Sequence, residues 1–395
     1  MKKENTLKII CIIFFYILVF QSVIQEYIKF FQYFDEILAL ISIIYFAFYI
    51  IKNRGKITVK KSNLYIFALL IIITSIGIYA NVKYKYQDYQ YVFADLLVFW
   101  KFFLVYLGFE ILARNKIEKY KKIIAKNIKI LSILFMILTI LNYIFTIFPS
   151  MGYRYGIRAN QLFFGHPMSL SWVCVFLLVT LIYCEKPNKR NCIYIIFLNL
   201  IIASTLRSKS IAFVIVSLII FLYNQCSNKK IDTLKIFVVG VICLAVGYKQ
   251  IYYYFMEEDT ARSALLTTSI EIANDHFPTG AGFGTFGSYF SGQNYSPLYE
   301  MYEIDEVWGL RESNPNFISD SFWPMILGQF GYIGTILYVL CIIIIYIKIQ
   351  KQYTIENKNI YIAKLLALMY LLISSTAESA FVSPFAIPLA IILAI

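Results

Sequence analysis

The chain has 395 residues, of which 60% are hydrophobic and 15% are charged, and its mean hydropathy is +0.68. Soluble domains carry about a quarter charged residues, so this composition excludes an ordinary soluble domain and indicates a polytopic membrane protein. The net charge of +13 alone would suit nucleic-acid binding. The Lys and Arg residues are concentrated in alternate loops, however, as the positive-inside rule requires, and we predict no nucleic-acid partner.

The apolar runs predict an all-α, polytopic fold with about twelve transmembrane helices. Several runs are shorter than the ~20 residues that a crossing requires, and we expect those helices to be tilted, bent or partly re-entrant. The first nine helices occupy residues 1–250, a long loop occupies 251–320, and the last three helices occupy 321–395. The predicted spans are roughly 7–24, 33–51, 63–80, 91–112, 128–148, 166–184, 192–206, 209–223, 234–250, 321–347, 360–376 and 380–395.

The distribution of cations predicts the orientation. With the N-terminus in the cytoplasm, 25 of the 36 Lys and Arg residues fall in cytoplasmic segments and ten in extracytoplasmic ones. This places both termini in the cytoplasm and the long loop on the extracytoplasmic side of the membrane. The remaining cation, Lys101, lies deep in a span, where it costs a few kcal/mol unless it is paired. Asp95 and Glu110 are not at helical pairing distance, so we expect a partner on another helix, or a pocket.

Cysteine and histidine usage predicts neither disulfides nor a metal site. The seven cysteines lie in predicted spans or at their cytoplasmic ends, and none lies in the long outer loop. With two histidines in all and no Cys-x-x-Cys pair, a metal site is not expected. We therefore predict no cofactor.

The outer loop differs sharply in composition from the rest of the chain. Between Ile251 and Ser319 it carries ten acidic residues against two arginines. Its first part predicts a helix, because acidic residues at 257–259 favour a helix start and Thr260 can cap it. Pro278 and the glycines that follow end this helix. A partly apolar surface, able to lie against the membrane or the helix bundle, is formed by Leu265, Leu266, Ile270 and Ile272.

The glycine-rich phrase from Gly282 to Gly287 matches the pattern G-x-G-x-x-G. We reject a dinucleotide site, because no buried strand precedes the phrase and no βαβ unit surrounds it. Gly280 and the glycines that follow it instead predict an irregular, close-packed turn, which can bring backbone amides near a ligand.

Aromatic side chains are frequent in the rest of the loop. Tyr289, Tyr295 and Trp308 offer flat apolar faces with polar edges, which suit contacts with sugar rings. Tyr299 and Tyr302 belong to the same group. The alternative is that these rings are interfacial aromatics that hold the loop to the lipid headgroups. The sequence leaves both interpretations open.

These phrases resemble the membrane polymerases and ligases of bacterial surface polysaccharide, the Wzy-type polymerases and O-antigen ligases. In that family an Arg-led helix and a Pro-Gly phrase precede an outer loop, and a further phrase leads into a span containing Gly-x-x-Gly. Here Arg262-Ser-Ala-Leu-Leu precedes His276-Phe-Pro-Thr-Gly-Ala-Gly-Phe-Gly, and Asp320-Ser-Phe-Trp-Pro precedes Gln329-Phe-Gly-Tyr-Ile-Gly. Weaker matches are Leu206-Arg-Ser-Lys-Ser-Ile-Ala, and Arg158 before Gly165-His-Pro. The matches cover roughly residues 150–340.

The resemblance implies a glycosyltransferase of the GT-C class that polymerises oligosaccharide units carried on undecaprenyl diphosphate, giving capsule, exopolysaccharide or O-antigen. It implies a metal-independent, inverting transfer at the outer face of the cytoplasmic membrane. Partners would be the lipid-linked oligosaccharide and the bilayer, with room for chain-length regulator and flippase proteins. Two alternatives stay open, namely a ligase that moves finished glycan to another acceptor, and a flippase or other transporter. A transporter often shows repeated halves, and this sequence has no internal repeat.

The resemblance also suggests roles for individual residues. Asp320 stands where the ligases have His, which favours the polymerases of Gram-positive clusters. Asp320 and His276 are the candidate catalytic bases; the alternatives are a helix cap for Asp320 and a diphosphate contact or helix end for His276. Glu378 is a further candidate carboxylate, and His166 is interpreted as structural. Four cations on the outer side suit a diphosphate, unless they only snorkel or pair with the acidic loop: Arg158, Arg207, Lys209 and Arg262.

Overall fold

A computed structural model describes residues 2–52, 60–112, 117–186, 189–227, 229–238, 240–241, 248, 252 and 260–395. Long apolar segments become helices because a backbone in lipid must satisfy its own hydrogen bonds. Beyond the helices, the described residues include three short 3-10 turns and one hairpin, in which Tyr153–Arg154 pairs with Ile157–Arg158. The helices are α1 Lys2–Tyr27, α2 Phe34–Lys52, α3 Lys61–Tyr84, α4 Tyr89–Leu112, α5 Lys121–Phe145, α6 Pro167–Cys184, α7 Lys189–Ser204, α8 Ser208–Cys226, α9 Ala261–Asp275, α10 Tyr289–Gln293, α11 Leu298–Met301, α12 Phe322–Lys351, α13 Lys358–Ser375 and α14 Ala386–Ala394.

The all-α, polytopic class is confirmed, whereas the count of twelve spans is not. Within the described ranges, seven helices are long and apolar enough to cross a membrane, namely most of α1 together with α3, α4, α5, α6, α12 and α13. The apolar helices α7 and α8 are shorter. In the predicted span 380–395, Ala380–Val382 forms a 3-10 turn and Ala386–Ala394 a helix of nine residues. Such a helix rises about 14 Å, less than half of a ~30 Å hydrocarbon core. Most of the predicted span 234–250 lies outside the described residues.

Helix α6 runs through the middle of the bundle. Nearly all of its residues are buried, and it contacts α1, α5, α7, α13 and α14. Helix α12 packs on α3, and α4 packs on both α2 and α14. A helix that is apolar on all sides is expected in such a central position.

Five of the connections predicted to be extracytoplasmic meet at one end of the bundle, which we call the loop end. Contacts across this end join the α3–α4, α5–α6 and α7–α8 connections, the long loop and the segment after α13. They include Phe283 N to Asn81 Oδ1 (2.8 Å), Asn160 N to Ser204 O (3.0 Å), Lys209 Nζ to Glu378 Oε2 (2.7 Å) and Arg262 Nη2 to Ala377 O (3.1 Å).

The connections predicted to be cytoplasmic meet at the opposite end. There Lys129 pairs with Glu185 at 2.7 Å, Lys60 pairs with Glu110 at 2.9 Å, and Asn359 donates to Tyr183 O at 3.2 Å. Among the described helices, the two groups of contacts therefore lie at opposite ends of the bundle.

Lys101 has its partners on another helix, as the sequence predicts. Its ammonium pairs with the buried carboxylate of Asp35 and lies 3.3 Å from Glu36 Oε1, and both acids begin α2. The ion pair removes the cost of an isolated charge inside an apolar bundle.

The long loop has a small core of its own. Helix α9 begins at Thr260, whose side chain accepts a hydrogen bond from Ser263 N at 3.3 Å, so the predicted cap is confirmed. Leu265 and Ile272 are buried, whereas Ile270 is exposed. The predicted acidic start at 257–259 lies outside the described residues. Helix α9 packs on α12, and the loop core consists of Leu265, Ile272, Ala281, Phe286, Leu298, Tyr299, Ile304, Leu310 and Ile318.

The glycine-rich turn closes a break in α12. Gly331 has φ 62° and ψ −169°, so the helix is interrupted there. The carbonyls of Gly328 and Gln329 accept hydrogen bonds from Ala281 N and Gly282 N, both at 2.9 Å. The turn is therefore close-packed, as predicted, and it is fixed to a membrane helix.

The expectation that the amides of this turn reach a ligand is wrong. Phe283 N donates to Asn81 Oδ1 and Gly284 N to Asp95 Oδ2, each at 2.8 Å. Gly287 N donates to the hydroxyl of Tyr299 at 2.9 Å. These donors are already used inside the protein, so the turn anchors the loop to α3 and α4.

Gly280→Ala is expected to weaken this anchor. Gly280 has φ +69°, and an added Cβ would lie 2.5 Å from Gly331 N. Left-handed strain of about 1–2 kcal/mol and overpacking of about 1–3 kcal/mol should both lower the free energy of unfolding, measured by denaturant unfolding in detergent. Gly156→Ala is the matched control, because its φ is +73° with no atom within 4 Å, and should lose only the strain. Equal losses in the two variants would contradict the anchor.

Candidate functional site

Five charged side chains from distant parts of the chain meet at the loop end. They form what we call the charged cluster: Arg207, Lys209, Arg262, Asp320 and Glu378, with Arg207 placed beside Lys209 by their shared neighbour His166. Arg262 Nη2 lies 3.2 Å from Asp320 Oδ2, and Lys209 Nζ lies 2.7 Å from Glu378 Oε2. Arg262 also donates to Ala377 O at 3.1 Å, which links the two ion pairs. Three cations face two carboxylates, so the cluster favours an additional anion.

Helix starts position these groups. Leu206 adopts a left-handed backbone with φ 54°, and α8 begins immediately after Arg207, which places Lys209 in its first turn. Arg262 is the second residue of α9, and Asp320 directly precedes Ser321, the N-cap of α12. Since the N-terminus of a helix carries a partial positive charge, three such ends add to the attraction for anions.

The cluster is partly withdrawn from solvent. The side chain of Lys209 is 11% exposed, whereas that of Asp320 is 37% exposed. Burial raises the pKa of Asp320 above its ordinary value, and the nearby cations Arg262 and Lys209 offset only part of that effect. Asp320 therefore accepts a proton more readily than an exposed aspartate does.

Glu378 is held from two sides. One carboxylate oxygen pairs with Lys209, and the other accepts a hydrogen bond from Trp172 Nε1 at 3.0 Å. Trp172 belongs to α6, so this bond connects the cluster to the central helix. The sequence marks Glu378 as a candidate carboxylate, but nothing in it indicates either partner.

His166 adjoins the cluster. It is the N-cap residue of α6, where its Nδ1 accepts a hydrogen bond from Met168 N at 3.0 Å. Its Nε2 lies 3.5 Å from Arg207 Nη2. The structural interpretation of His166 thus accounts for one ring nitrogen and leaves the second directed toward a cation of the site.

Arg158 binds the backbone of the α5–α6 connection, to which it belongs. It lies in the short hairpin, and its Nη2 donates to the carbonyl of Phe148. Its other terminal nitrogen, Nη1, is buried and has no hydrogen-bond partner among the described residues. No described contact joins Arg158 to the charged cluster, so the structure brings together three of the four predicted diphosphate-binding cations.

His276 lies away from the cluster. It is the C-cap of α9, fourteen residues beyond Arg262 near the start of the same helix, a rise of about 21 Å. Its Nε2 lies 3.0 Å from the Tyr86 hydroxyl, and its Nδ1 lies 3.1 Å from Ile272 O. Burial lowers its pKa. The structure therefore separates the two predicted catalytic residues, and it places Asp320, not His276, beside the cations.

The predicted sugar-contacting rings fall into two groups. Tyr289 and Trp308 are exposed, at 62% and 67%, and can offer their faces to a ligand or to headgroups. Tyr295 makes its contacts within the loop, where its hydroxyl donates to Leu310 O at 2.8 Å and its ring packs against Tyr299.

Polar side chains of α3, α4 and the turn between them were missed by the sequence interpretation. Asn81, Gln87 and Asp95 bind the backbone of the glycine-rich turn, which positions the loop above the bundle. The only signal in the sequence is that these polar residues lie next to apolar runs. Within the described part of the chain, no three His, Cys, Asp or Glu residues gather as a metal site.

Comparison with known proteins gives no assignment. No family model matches the chain, and no curated protein matches it. The resemblance to polysaccharide polymerases and ligases therefore depends on the motifs quoted above.

Proposed function

We propose that the chain is a membrane glycosyltransferase that joins oligosaccharide units carried on a polyprenyl diphosphate. The observation that carries this proposal is the charged cluster, in which Lys209 lies near Arg262, and Arg207 and Lys209 both lie near His166, at one end of an apolar helix bundle. A lipid diphosphate presents its anionic group at that level while its tail remains in the bilayer.

The cations suit the leaving group of such a transfer. A guanidinium such as that of Arg262 offers a rigid fork of donors that matches phosphate oxygens, while Lys209 adds a compact charge. The diphosphate gains negative charge as its bond to the sugar breaks, and fixed cations stabilise that charge in the transition state. The cluster supplies this stabilisation from protein side chains.

Asp320 is the proposed base. The acceptor is a sugar hydroxyl on a second lipid-linked unit. Its proton passes to the Asp320 carboxylate, its oxygen forms a bond to the anomeric carbon of the donor, and the bond from that carbon to the diphosphate oxygen breaks. The electron pair leaves with the diphosphate. Attack opposite the leaving group inverts the anomeric centre.

The ion pairs suggest how the base becomes available. In the structure, Arg262 is paired with Asp320, and Lys209 is paired with Glu378. A diphosphate competes with both carboxylates for these cations, because its charge and oxygen count exceed those of one carboxylate. Once Arg262 turns to the diphosphate, Asp320 is released to take a proton from the acceptor.

Deleting the gene from its host tests the assignment. We expect single repeat units to accumulate on lipid at the outer face of the membrane, scored by their accessibility to an impermeant glycosidase and by the length of the extracted glycan. Finished polymer that remains on lipid would indicate a ligase instead, and single units facing inward would indicate a flippase. Either result would overturn the proposed polymerisation.

A further inference from the structure

The position of the proton on His166 follows from its contacts. Met168 N donates to Nδ1 at 3.0 Å, so Nδ1 is an acceptor and carries no hydrogen. A neutral imidazole then carries its single proton on Nε2. That nitrogen lies 3.5 Å from Arg207 Nη2, and His166 itself is only half-buried.

The contact between His166 Nε2 and Arg207 Nη2 therefore joins two donors. Two N–H groups cannot form a hydrogen bond with each other, whereas both can donate to one oxygen. Two nitrogens 3.5 Å apart can both lie about 2.9 Å from a single oxygen atom, the usual length of such bonds. The two donors can therefore form two hydrogen bonds to the same oxygen atom.

Burial and the surrounding cations keep the imidazole neutral. The pKa of His166 is lowered to about 4, mainly by burial and further by the cations Arg207, Lys209 and Arg154. One acid is close, since Glu26 Oε1 would lie 3.1 Å from a Cβ placed on Gly165. His166 therefore adds a donor to the cationic site without adding a charge, which suits an anion bound among several positive groups.

We propose that His166 and Arg207 together bind one phosphate oxygen, with His166 as a positioning residue for the anion. The identification of that anion as the lipid diphosphate rests on the proposed function. Binding of a phosphate or diphosphate group as such does not, because it follows from the donors and the cations alone.

Histidine NMR on the whole chain in detergent gives a direct test, because the chain has only two histidines. Without an anion, the ring nitrogens of His166 should show the neutral Nε2–H form at about pH 6, below the ordinary pKa of histidine. Added pyrophosphate or farnesyl diphosphate should raise the pKa of His166, increasing its proton affinity about tenfold, with no change at His276. An effect of farnesyl diphosphate alone would identify a lipid-linked anion, and an equal effect of pyrophosphate would identify the free phosphate group. An Nδ1–H form, or no response to either probe, would overturn the proposal.

Two substitutions separate the donor from the helix cap. His166→Ser keeps a capping oxygen and removes the Nε2 donor, so affinity for the probe should fall about tenfold. His166→Gln keeps a side-chain N–H and is a poorer cap, so its affinity should remain closer to that of the unaltered protein. The opposite order would show a purely structural role. If the probe binds but the protein does not join lipid-linked units, the proposed function is wrong and this inference stands. If His166→Ser joins lipid-linked units at the unaltered rate and the probes give no NMR response, this inference is wrong and the proposed function stands.

Discussion

Replacing Arg262 with alanine is expected to abolish long polymer while the protein remains in the membrane. Arg262 is the cation that contacts both Asp320 and the carbonyl of Ala377, so it lies between the two ion pairs of the charged cluster. Loss of one group that stabilises the departing charge costs about 10²–10³-fold in rate. Glycan length, measured on gels beside the amount of protein in the membrane, checks the result.

The same loop provides a matched control for this change. Arg311 pairs with Glu306 at 3.4 Å, and both side chains are largely exposed, so Arg311→Ala should leave chain length unaltered. Arg262→Lys should recover only part of the activity, because an ammonium cannot replace the two-pronged contact of a guanidinium. Normal chain lengths in Arg262→Ala would remove the cluster from the reaction.

Replacing Asp320 with asparagine is expected to lower the rate of polymerisation by about 10²–10⁴-fold, the usual contribution of a general base. Asparagine keeps the size of the side chain but cannot take the proton of the acceptor hydroxyl. Glu312→Gln is the control, since Glu312 is exposed in the same loop and its replacement should leave the rate of polymerisation unchanged. Full activity in Asp320→Asn would end the role of Asp320 as the base.

The pH profile gives an independent reading of the same group. The base must be ionised, so activity falls as the pH falls through the pKa of Asp320. Because burial raises that pKa, the acid limb should begin at a higher pH than the ordinary value of 3.8 would give. Arg262→Ala removes a cation that lowers the pKa of Asp320, so the acid limb of the residual activity should shift to a still higher pH. Arg262→Lys keeps a cation and should shift the limb less, whereas an acid limb that stays in place in Arg262→Ala would argue that another group titrates.

The sequence predicted the fold class and several local features for clear physical reasons. Long apolar runs have few structural solutions in a membrane, so the all-α, polytopic class could be predicted. The helix that begins at Thr260 followed from its cap, and the partner of Lys101 on another helix followed from the cost of an unpaired charge. The nine-residue helix Ala386–Ala394 was not predicted, because hydropathy shows that a segment is apolar but not where its backbone turns.

The site was only partly predictable, because its contacts join distant positions. Lys209 and Glu378 are both polar residues beside apolar runs, and no periodicity connects them. The separation of His276 from Asp320 depends on the direction of α9, which the resemblance did not supply. The use of the glycine amides by Asn81 and Asp95 depends on how the loop folds back onto the bundle. Such long-range packing is decided by the whole set of surfaces and not by a local pattern.

The release of polyprenyl diphosphate by the purified protein tests the central claim most directly. The substrate is the lipid-linked unit that accumulates in cells lacking the gene, and both the released lipid and the glycan length are measured in one reaction. We expect one polyprenyl diphosphate for each new glycosidic bond, with both signals lost in Arg262→Ala and retained in Arg311→Ala. Lipid-linked units that bind the protein but remain unjoined, with no diphosphate released, would contradict the assignment of the charged cluster to glycosyl transfer.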